Sequence, residues 1–354
     1  MTGMPPPLAV VRKLRHVSDG EPGLRRARRG TRFVYLDARG RPEPREAVLA
    51  RIRALAIPPA YVDVWVCASA DGHLQATGRD ARGRKQYRYH PLWSAERSEQ
   101  KFGGLAAFGQ LLPRLRLKVQ RVLCADSEPT RERVACAMVR LIDSTGMRVG
   151  NIEYARQNGS FGASTLQCSH ARITQESIHF DFVGKSGVRH SLAVADPCLA
   201  RLVRRCAALP GRALFQYLDA HGRRRRISSN DINAWLCEQG GPDITAKIFR
   251  TWRASVAALE LLLDPNGPRG RGIVRAVAGQ LGNTMAVCRK AYIAPAVLEL
   301  IDAAPELAEL RAQPWCARPP ARRGLRLAER QLLALLLEQP QRHSPTRPTQ
   351  DKHP

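Results

Sequence analysis

The sequence is short of acidic residues and of lysine. Its 354 residues include 31 Asp and Glu against 57 Lys and Arg, which gives a formal net charge of +26. This excess excludes an acidic solvating chain and favours a polyanionic partner, with nucleic acid first and an anionic membrane surface second. A GC-biased genome, which favours arginine codons wherever a basic residue is tolerated, would produce part of the same excess. Only eight of the basic residues are lysine, so a lysine at a chemically suggestive position is informative.

The sequence also lacks long apolar runs and paired cysteines. No stretch reaches the eighteen or so apolar residues of a membrane span, and the first eleven residues contain no signal-peptide core. Nine cysteines lie singly between Cys67 and Cys316, without a CxxC pair or a Cys/His cluster at metal-ligand spacing. We therefore expect a cytoplasmic protein without metal, whose cysteines are thiols and whose fold does not depend on disulfides.

The residue pattern predicts an α+β protein. Residues 1–30 are rich in proline and arginine and are expected to be flexible. Residues 31–95 show the alternation of short strands, with one helix near residues 44–56. This segment predicts a small β-rich domain.

From residue 96 onward, apolar residues recur mainly at helical spacing. Residues 96–309 predict a mainly helical domain, interrupted by one β-hairpin over about residues 178–194. Residues 310–354 predict a Pro/Arg-rich spacer, one leucine-rich helix at residues 326–338 and a disordered tail.

A basic segment with interleaved aromatic residues ends the β-rich domain. In an extended conformation its side chains would alternate between two faces. Its cations can neutralise phosphates, while Gln and Tyr can reach base edges or sugars. We interpret the segment as a DNA-contacting strand, with a solvated basic strand as the alternative. The candidate contacts are Arg82, Arg84, Lys85, Gln86, Tyr87 and Tyr89.

Two cations in the helical domain lie where they could act on a phosphate. Arg148 stands between small residues in the predicted helical stretch 146–155, where a guanidinium could form a bidentate hydrogen bond. Lys185 lies near the predicted hairpin tip, where an ammonium could donate a proton, which a guanidinium essentially cannot do. Surface solvation is the alternative for both residues.

Three further positions lie at predicted helix ends. Lys247 and Arg250 are three residues apart near a helix N-terminus, where both could converge on an anion. Asn283 or Thr284 is the expected N-cap of the helix that Tyr292 ends. Half-buried packing is the usual role of such a tyrosine, because a phenol becomes a useful nucleophile only in a cationic pocket or beside a base.

In this order, these positions resemble the active site of the type IB DNA topoisomerases, in the branch of small bacterial and poxvirus-like enzymes. The resemblance covers the chain from about residue 30 to about residue 300. The family's Arg-x-Gly-x-x-x-Tyr segment is matched from Arg148 to Tyr154, and the resemblance implies that Tyr154 contacts DNA. Its lysine, which follows Val-Gly on a β-hairpin, is matched by Lys185.

The second half of the active site is matched as well. The family's second arginine follows a lysine by three positions, as Arg250 follows Lys247. Its next member is a His or Asn between Gly and Thr, nine residues before the nucleophilic tyrosine, which is the spacing of Asn283 and Tyr292. Many relatives carry His at that position. Because both side chains can donate a hydrogen bond to a phosphate oxygen, we expect activity at a somewhat altered rate.

The resemblance implies a function and a role for each matched residue. Tyr292 would attack a phosphate of duplex DNA to form a 3′-phosphotyrosyl link, while Asn283 and the two arginines hold the non-bridging oxygens. Lys185 would protonate the departing 5′ oxygen, helped by Lys247. Residues 31–95 would be the DNA-binding domain and residues 96–309 the catalytic domain. We expect a monomeric clamp on duplex DNA, associated with the nucleoid, that needs no ATP, metal or other cofactor.

Two other classes stay open on the sequence. Tyrosine recombinases share the catalytic fold and the tyrosine chemistry, but they usually have His in place of Lys247, often have His in place of Asn283, and have a helical N-terminal domain. A non-catalytic DNA-binding protein would account for the net charge and the basic segment. It would give no reason for scarce lysines and Tyr292 to fall in a catalytic spacing.

Overall fold

The computed structural model describes residues 14–125 and 128–338, and only the backbone of residues 98–101. The chain divides into two compact units, an N-terminal unit of residues 1–101 and a C-terminal unit of residues 102–354. The boundary lies within a long helix, a few residues beyond the boundary predicted at 95/96.

The N-terminal unit contains one five-stranded antiparallel sheet and one helix. The strands follow the order β2-β1-β3-β4-β5, so only β2 and β5 are edge strands. Leu24, Val64, Val66 and Ala76 form the sheet's buried cluster together with Ile52 of the helix. In chain order the elements are β1 Gly23–Arg29, β2 Arg32–Leu36, α1 Glu46–Ala54, β3 Val62–Cys67, β4 Leu74–Arg79 and β5 Lys85–Tyr89.

Strand β1 corrects one sequence prediction. It lies within residues 1–30, which were expected to be flexible, yet it pairs with β2 on one side and β3 on the other. Its sequence, GLRRARR, contains one large apolar residue, Leu24, which is 4% exposed. The strand is therefore held by its position inside the sheet more than by a hydrophobic alternation of its own. Residues 1–13 lie outside the described residues.

The C-terminal unit is mainly helical and contains a three-stranded antiparallel sheet in the order β6-β7-β8 and a two-stranded sheet of β9 and β10. The first helix begins in the N-terminal unit. The elements are α2 Pro91–Cys124, α3 Arg131–Thr145, α4 Ile152–Asn158, β6 Ala171–Ile173, β7 Ser177–Val183, β8 Arg189–Ala195, α5 Pro197–Ala208, β9 Gln216–Leu218, β10 Arg224–Arg226, α6 Ser229–Gly240, α7 Ala246–Leu263, α8 Arg271–Leu281, α9 Met285–Ala291, α10 Pro295–Ala303, α11 Leu307–Ala312, α12 Pro314–Ala317 and α13 Leu327–Glu338.

Helix α7 lies at the centre of this unit. Most of its residues are buried on all sides, which is typical of a core helix. Phe108 of α2 packs edge-to-face against Phe249 and Trp252 of α7, with ring centroids 4.8 and 5.9 Å apart. Helix α7 also carries Arg250, so the packing of its apolar residues fixes the position of that guanidinium.

Helix α13, Leu327–Glu338, lies at the leucine-rich helix predicted over residues 326–338, whereas α12, Pro314–Ala317, lies where only a Pro/Arg-rich spacer was predicted. Helices α12 and α13 are packed into the C-terminal unit, and Glu329 of α13 is 1% exposed. Arg116 donates to Glu329 at 2.7 Å and to Asp143 at 2.8 Å. Burial alone would raise the pKa of Glu329, but the hydrogen bonds from Arg116 bring it below its ordinary value. Residues 339–354, where the disordered tail was predicted, lie outside the described residues.

A disulfide corrects the prediction that all cysteines are thiols. Cys124, at the end of α2, is bonded to Cys198, in the first turn of α5, with the two Cα atoms 5.0 Å apart. The partners are 74 residues apart in sequence, so no short spacing motif indicated the pair. The other seven cysteines are free.

Two absences hold for residues 14–125 and 128–338. No helix in these ranges combines the length and apolar character that crossing a membrane would require. No group of three or more His, Cys, Asp or Glu side chains there could hold a metal ion.

Candidate active site

Tyr292 is the C-cap residue of α9, as the sequence predicted, and its side chain is half-buried. Its backbone N–H donates to the Cys288 carbonyl oxygen at 2.9 Å. The fully buried Ser255 of α7 fixes the backbone that follows Tyr292, because its hydroxyl accepts the Ala294 N–H at 2.9 Å while it donates to the Thr251 carbonyl oxygen of its own helix at 2.9 Å. The backbone that carries the phenol is therefore attached to the central helix.

Cys288 is a second nucleophilic group on the same helix. It is fully buried, and burial raises the pKa of its thiol to about 11. The thiol therefore stays protonated at neutral pH, in the form that is a poor nucleophile.

Arg250 lies beside the Tyr292 ring. Its guanidinium carbon is 5.1 Å from the ring centroid, and the residue is only 4% exposed. It donates to the carbonyl oxygens of Gly146 and Leu281, at the ends of α3 and α8. Burial, followed by the charge of Arg148, lowers the pKa of Arg250 below its ordinary value, and a guanidinium keeps its charge in proteins. The site therefore contains a fixed, buried positive charge.

Arg148 lies in the loop between α3 and α4, and the prediction that it stands on a helix is wrong. The helix ends because Gly146 has a φ of 68° and Gly150 a φ of 96°, both in the left-handed region. A Cβ at Gly150 would also lie 3.1 Å from the Gly162 backbone. The Arg148 carbonyl oxygen accepts the Ala163 N–H at 2.8 Å. The glycine of the Arg-x-Gly motif thus shapes the loop that presents the arginine.

Arg148 donates from its guanidinium to the side-chain oxygen of Asn283. Because a guanidinium has only donors, this contact directs the amide oxygen toward Arg148 and leaves the amide NH₂ for another partner. The Asn283 Nδ2 atom is buried and has no hydrogen-bond partner within the described residues. Thr284, not Asn283, caps α9 by accepting the Val287 N–H, so the Asn283 side chain is not used for capping.

The two lysines are less constrained. Lys185 lies at the predicted hairpin tip, in a 3-10 turn between β7 and β8, and is exposed. Lys247 is exposed in the first turn of α7, which confirms its predicted place at a helix N-terminus. In the part of the chain that the structure describes, neither ammonium group has a hydrogen bond or ion pair. The structure thus brings Arg148, Arg250 and Asn283 together with the tyrosine, but no described contact brings Lys247 to them.

His190 of β8 is a residue of this site that the sequence reasoning did not identify. Its ring stacks on that of Phe182, with centroids 5.1 Å apart and the planes at 21°. Burial, then the charges of Arg148 and Arg250, lowers the pKa of His190 below its ordinary value. The strand alternation that includes His190 was visible in the sequence, but its nearness to two arginines required the tertiary structure.

The basic segment forms edge strand β5, and its side chains alternate as predicted. Lys85, Tyr87 and Tyr89 are exposed, whereas Gln86 and Arg88 are half-buried. The two tyrosine rings stack at 6.1 Å with their planes at 8°. This edge of the sheet offers two aromatic faces beside a cation, although DNA contact itself stays a prediction.

The side chains predicted to contact DNA differ in whether they already form an ion pair within the protein. Arg84 forms an ion pair with Asp80 at 2.6 Å, and Lys85 forms one with Asp19 at 2.6 Å. Arg82 is exposed in the turn before β5, and Tyr154 is 51% exposed on α4. Tyr154, in the family motif, therefore lies on the surface of the C-terminal unit.

Comparisons with known proteins identify the family of the chain. The family model of the eukaryotic DNA topoisomerase I catalytic core matches residues 85–296, and that of the bacterial DNA topoisomerase IB N-terminal domain matches residues 32–80. DNA topoisomerase 1B of Acanthamoeba polyphaga mimivirus is 31% identical over 302 residues, covering 80% of this chain and 89% of that protein. DNA topoisomerase 1B of Vaccinia virus (strain Copenhagen) is 23% identical over 246 residues, covering 68% of this chain and 76% of that protein.

The fold, the site and these matches define a DNA topoisomerase, an isomerase whose substrate is DNA. More specifically, the chain belongs to the type IB family, with an N-terminal domain of the bacterial type and an α+β fold. Membership in this family decides against the recombinase and the non-catalytic DNA-binding protein that the sequence had left open.

Proposed function

We propose that the protein relaxes supercoiled duplex DNA by transient cleavage of one strand at Tyr292, strand rotation and religation, without ATP or metal. The observation that carries this proposal is the convergence of Arg148, Arg250 and Asn283 on the tyrosine, from three separate parts of the sequence. The proposal includes a monomeric enzyme that acts on the nucleoid in the cytoplasm.

Unpartnered buried donors support a phosphate as the ligand of this pocket. The Nδ2 atom of Asn283 and the Nε atom of Arg250 are buried without a hydrogen-bond partner among the described residues. Such a donor costs about 1–3 kcal/mol when it stays unpaired, more when it is charged. Non-bridging phosphate oxygens would satisfy both groups. Their negative charge redistributes in the transition state, where fixed donors stabilise it most.

Tyr292 is the nucleophile in this mechanism. Its oxygen forms a bond to phosphorus as the bond from phosphorus to the 5′ oxygen breaks, and the phenolic proton is released to solvent. The Arg250 guanidinium beside the ring favours the negative charge that develops on the phenolic oxygen. The product is a 3′-phosphotyrosyl link and a strand with a free 5′ hydroxyl.

Lys185 supplies a proton to the departing 5′ oxygen. Its ammonium is exposed and unpaired within the described residues, so it can reach an atom that only bound DNA brings to the site. Lys247 is the second candidate for this task. In religation the 5′ hydroxyl returns its proton and attacks the phosphotyrosine. Because one phosphodiester replaces another of similar energy, no ATP is consumed.

Plasmid relaxation tests the proposal. We expect negatively and positively supercoiled plasmid to be relaxed in EDTA without ATP, at an enzyme-to-plasmid ratio well below one. The Tyr292→Phe variant is the matched control and should leave both plasmids supercoiled. Failure of the folded wild-type protein to relax either plasmid would overturn the proposed function.

A further inference from the structure

We propose that His190 is a positioning residue for Lys185, and that its imidazole ring docks the Lys185 hairpin against the turn that carries Asn283. This inference rests on the proposed role of Lys185 as proton donor. It assigns to His190 a function that acts through the hairpin backbone and involves no contact with DNA.

The first contact is with the residue before Lys185. Gly184 has an ordinary φ of −94°, so its backbone conformation does not require glycine. The space around it does, because a Cβ there would lie 2.6 Å from Cδ2 and 2.7 Å from Nε2 of His190. The imidazole therefore lies directly against the backbone at the start of the hairpin turn.

The second contact is with the residue before Asn283. A Cβ at Gly282 would lie 3.1 Å from Cε1 of His190 and 3.3 Å from a methyl group of Val188. Gly282 is the αL residue that ends α8, with a φ of 59°. The ring thus touches the backbone beside each of two assigned active-site residues, Lys185 and Asn283.

A third contact fixes the ring itself. Phe182 is 4% exposed and stacks on the imidazole, which attaches His190 to the apolar core under the hairpin. The burial and the two nearby arginines that lower the pKa of His190 favour the neutral ring at physiological pH. A neutral aromatic ring can pack between two glycines without adding a third charge to the phosphate pocket.

The imidazole ring therefore fills the space between hairpin and turn, with the Val188 methyl group beside it. Removing the ring leaves a gap between Gly184 and Gly282, and the hairpin tip is then no longer held at its place beside Asn283. Lys185 is at this tip and has no other described partner, so its ammonium loses its position first. The arginines keep their own hydrogen bonds and stay in place.

Cleavage of two DNA substrates tests this inference. One is ordinary DNA, and in the other the scissile 5′ bridging oxygen is replaced by sulfur, whose thiolate leaves without a proton donor. We expect His190→Ala to slow cleavage of ordinary DNA by about 10-fold or more, up to the 10²–10⁴ that a positioned proton donor contributes. On the sulfur substrate the variant should cleave nearly as fast as the wild type.

His179→Ala is the matched control. His179 lies on β7 of the same hairpin and contacts the Ser191 hydroxyl at 3.3 Å, on the partly exposed side. Its removal should leave both rates unchanged. If His190→Ala slowed cleavage of both substrates equally, the inference would be overturned, because the defect would then not arise from a misplaced proton donor.

A reciprocal variant covers the case in which the cavity itself unfolds the hairpin. Gly184→Ala alone should be defective, since its methyl group would collide with the ring. In the double variant Gly184→Ala/His190→Ala the methyl group takes part of the vacated space, so the combined loss should be smaller than the product of the two single losses. A fully multiplicative loss would contradict the direct contact.

The same measurements separate this inference from the proposed function. If Lys185→Ala is itself not rescued by sulfur, the role of Lys185 as proton donor fails. If Lys185→Ala is rescued and His190→Ala is not, only the positioning role of His190 fails.

Discussion

The two arginines of the site and the two lysines assigned to it from the sequence carry the same formal charge but are held very differently. Arg250 is 4% exposed and hydrogen-bonded to two backbone carbonyls, and Arg148 is bonded to Asn283. Lys185 and Lys247 are exposed and have no partner in the described parts of the chain. This difference matches two chemical tasks: charge stabilisation requires donors that are already in place, whereas proton donation requires reach to an atom that arrives with the substrate.

The largest effect is expected for Tyr292→Phe, which leaves both sets of cations intact. Removal of one hydroxyl deletes the nucleophile and no charge, so relaxation should be abolished while duplex binding stays within a few-fold of the wild type. A denaturing gel measures the covalent adduct, and a binding titration measures affinity. Protein still attached covalently to DNA would mean that another residue is the nucleophile.

Lys185→Ala tests the role of the exposed lysines. Cleavage should slow by about 10²–10⁴, the usual contribution of a positioned proton donor. On DNA with sulfur at the scissile 5′ bridging position the rate should return nearly to that of the wild type, because a thiolate needs no proton. If the variant stays equally impaired, Lys247 becomes the leading candidate for the acid.

Arg148→Ala tests the role of the arginines, which are held by hydrogen bonds. Loss of one preorganised donor to the non-bridging oxygens should slow cleavage by about 10²–10³, and the Asn283 amide would also lose the contact that orients it. Sulfur substitution leaves those oxygens unchanged, so it should give no rescue. Single-turnover cleavage rates on both substrates test this prediction. Rescue of Arg148→Ala by sulfur would mean that the arginines and the lysines do not differ in their chemical task.

The smallest effect is expected for Arg82 and Arg84 of the N-terminal unit, whose proposed role is DNA binding alone. If about six to ten phosphates are neutralised, log affinity should fall with log salt at a slope of roughly −5 to −9. Arg82→Ala should make the slope about one unit shallower, without changing cleavage of bound DNA. Arg84→Ala should change it less, since Arg84 is already paired with Asp80. A slope near zero for the wild type would mean that the positive charge has no DNA-binding role.

The sequence predicted those features that depend on neighbouring residues. Helix α8, an N-cap of α9 at Asn283 or Thr284 and the hairpin that carries Lys185 all follow from periodicity, turn residues and caps within a few positions, and the structure has Thr284 as the cap. The matched motifs also identified Arg148, Arg250, Asn283 and Tyr292, which the fold brings together.

The features that it did not predict depend on distant residues. Strand β1 requires two neighbouring strands, and the Cys124–Cys198 bond joins residues 74 apart. His190 acquires its environment from arginines on two other elements. Arg148 was placed on a helix because the pattern did not reveal that two glycines would adopt positive φ.

The ion pair between Arg116 and Glu329 bears on where this enzyme can be shortened. Trp252, two residues beyond Arg250 on α7, is 2% exposed and donates its indole N–H to Glu329 at 3.3 Å. A fragment that stops at residue 296, where the match to the catalytic core ends, would lack Glu329 and the helix that covers this tryptophan. Arg116 would keep only Asp143 as a partner, and the apolar surface around Trp252 would be exposed to solvent. A shortened chain that keeps this ion pair and the cover over Trp252 therefore has to include α13.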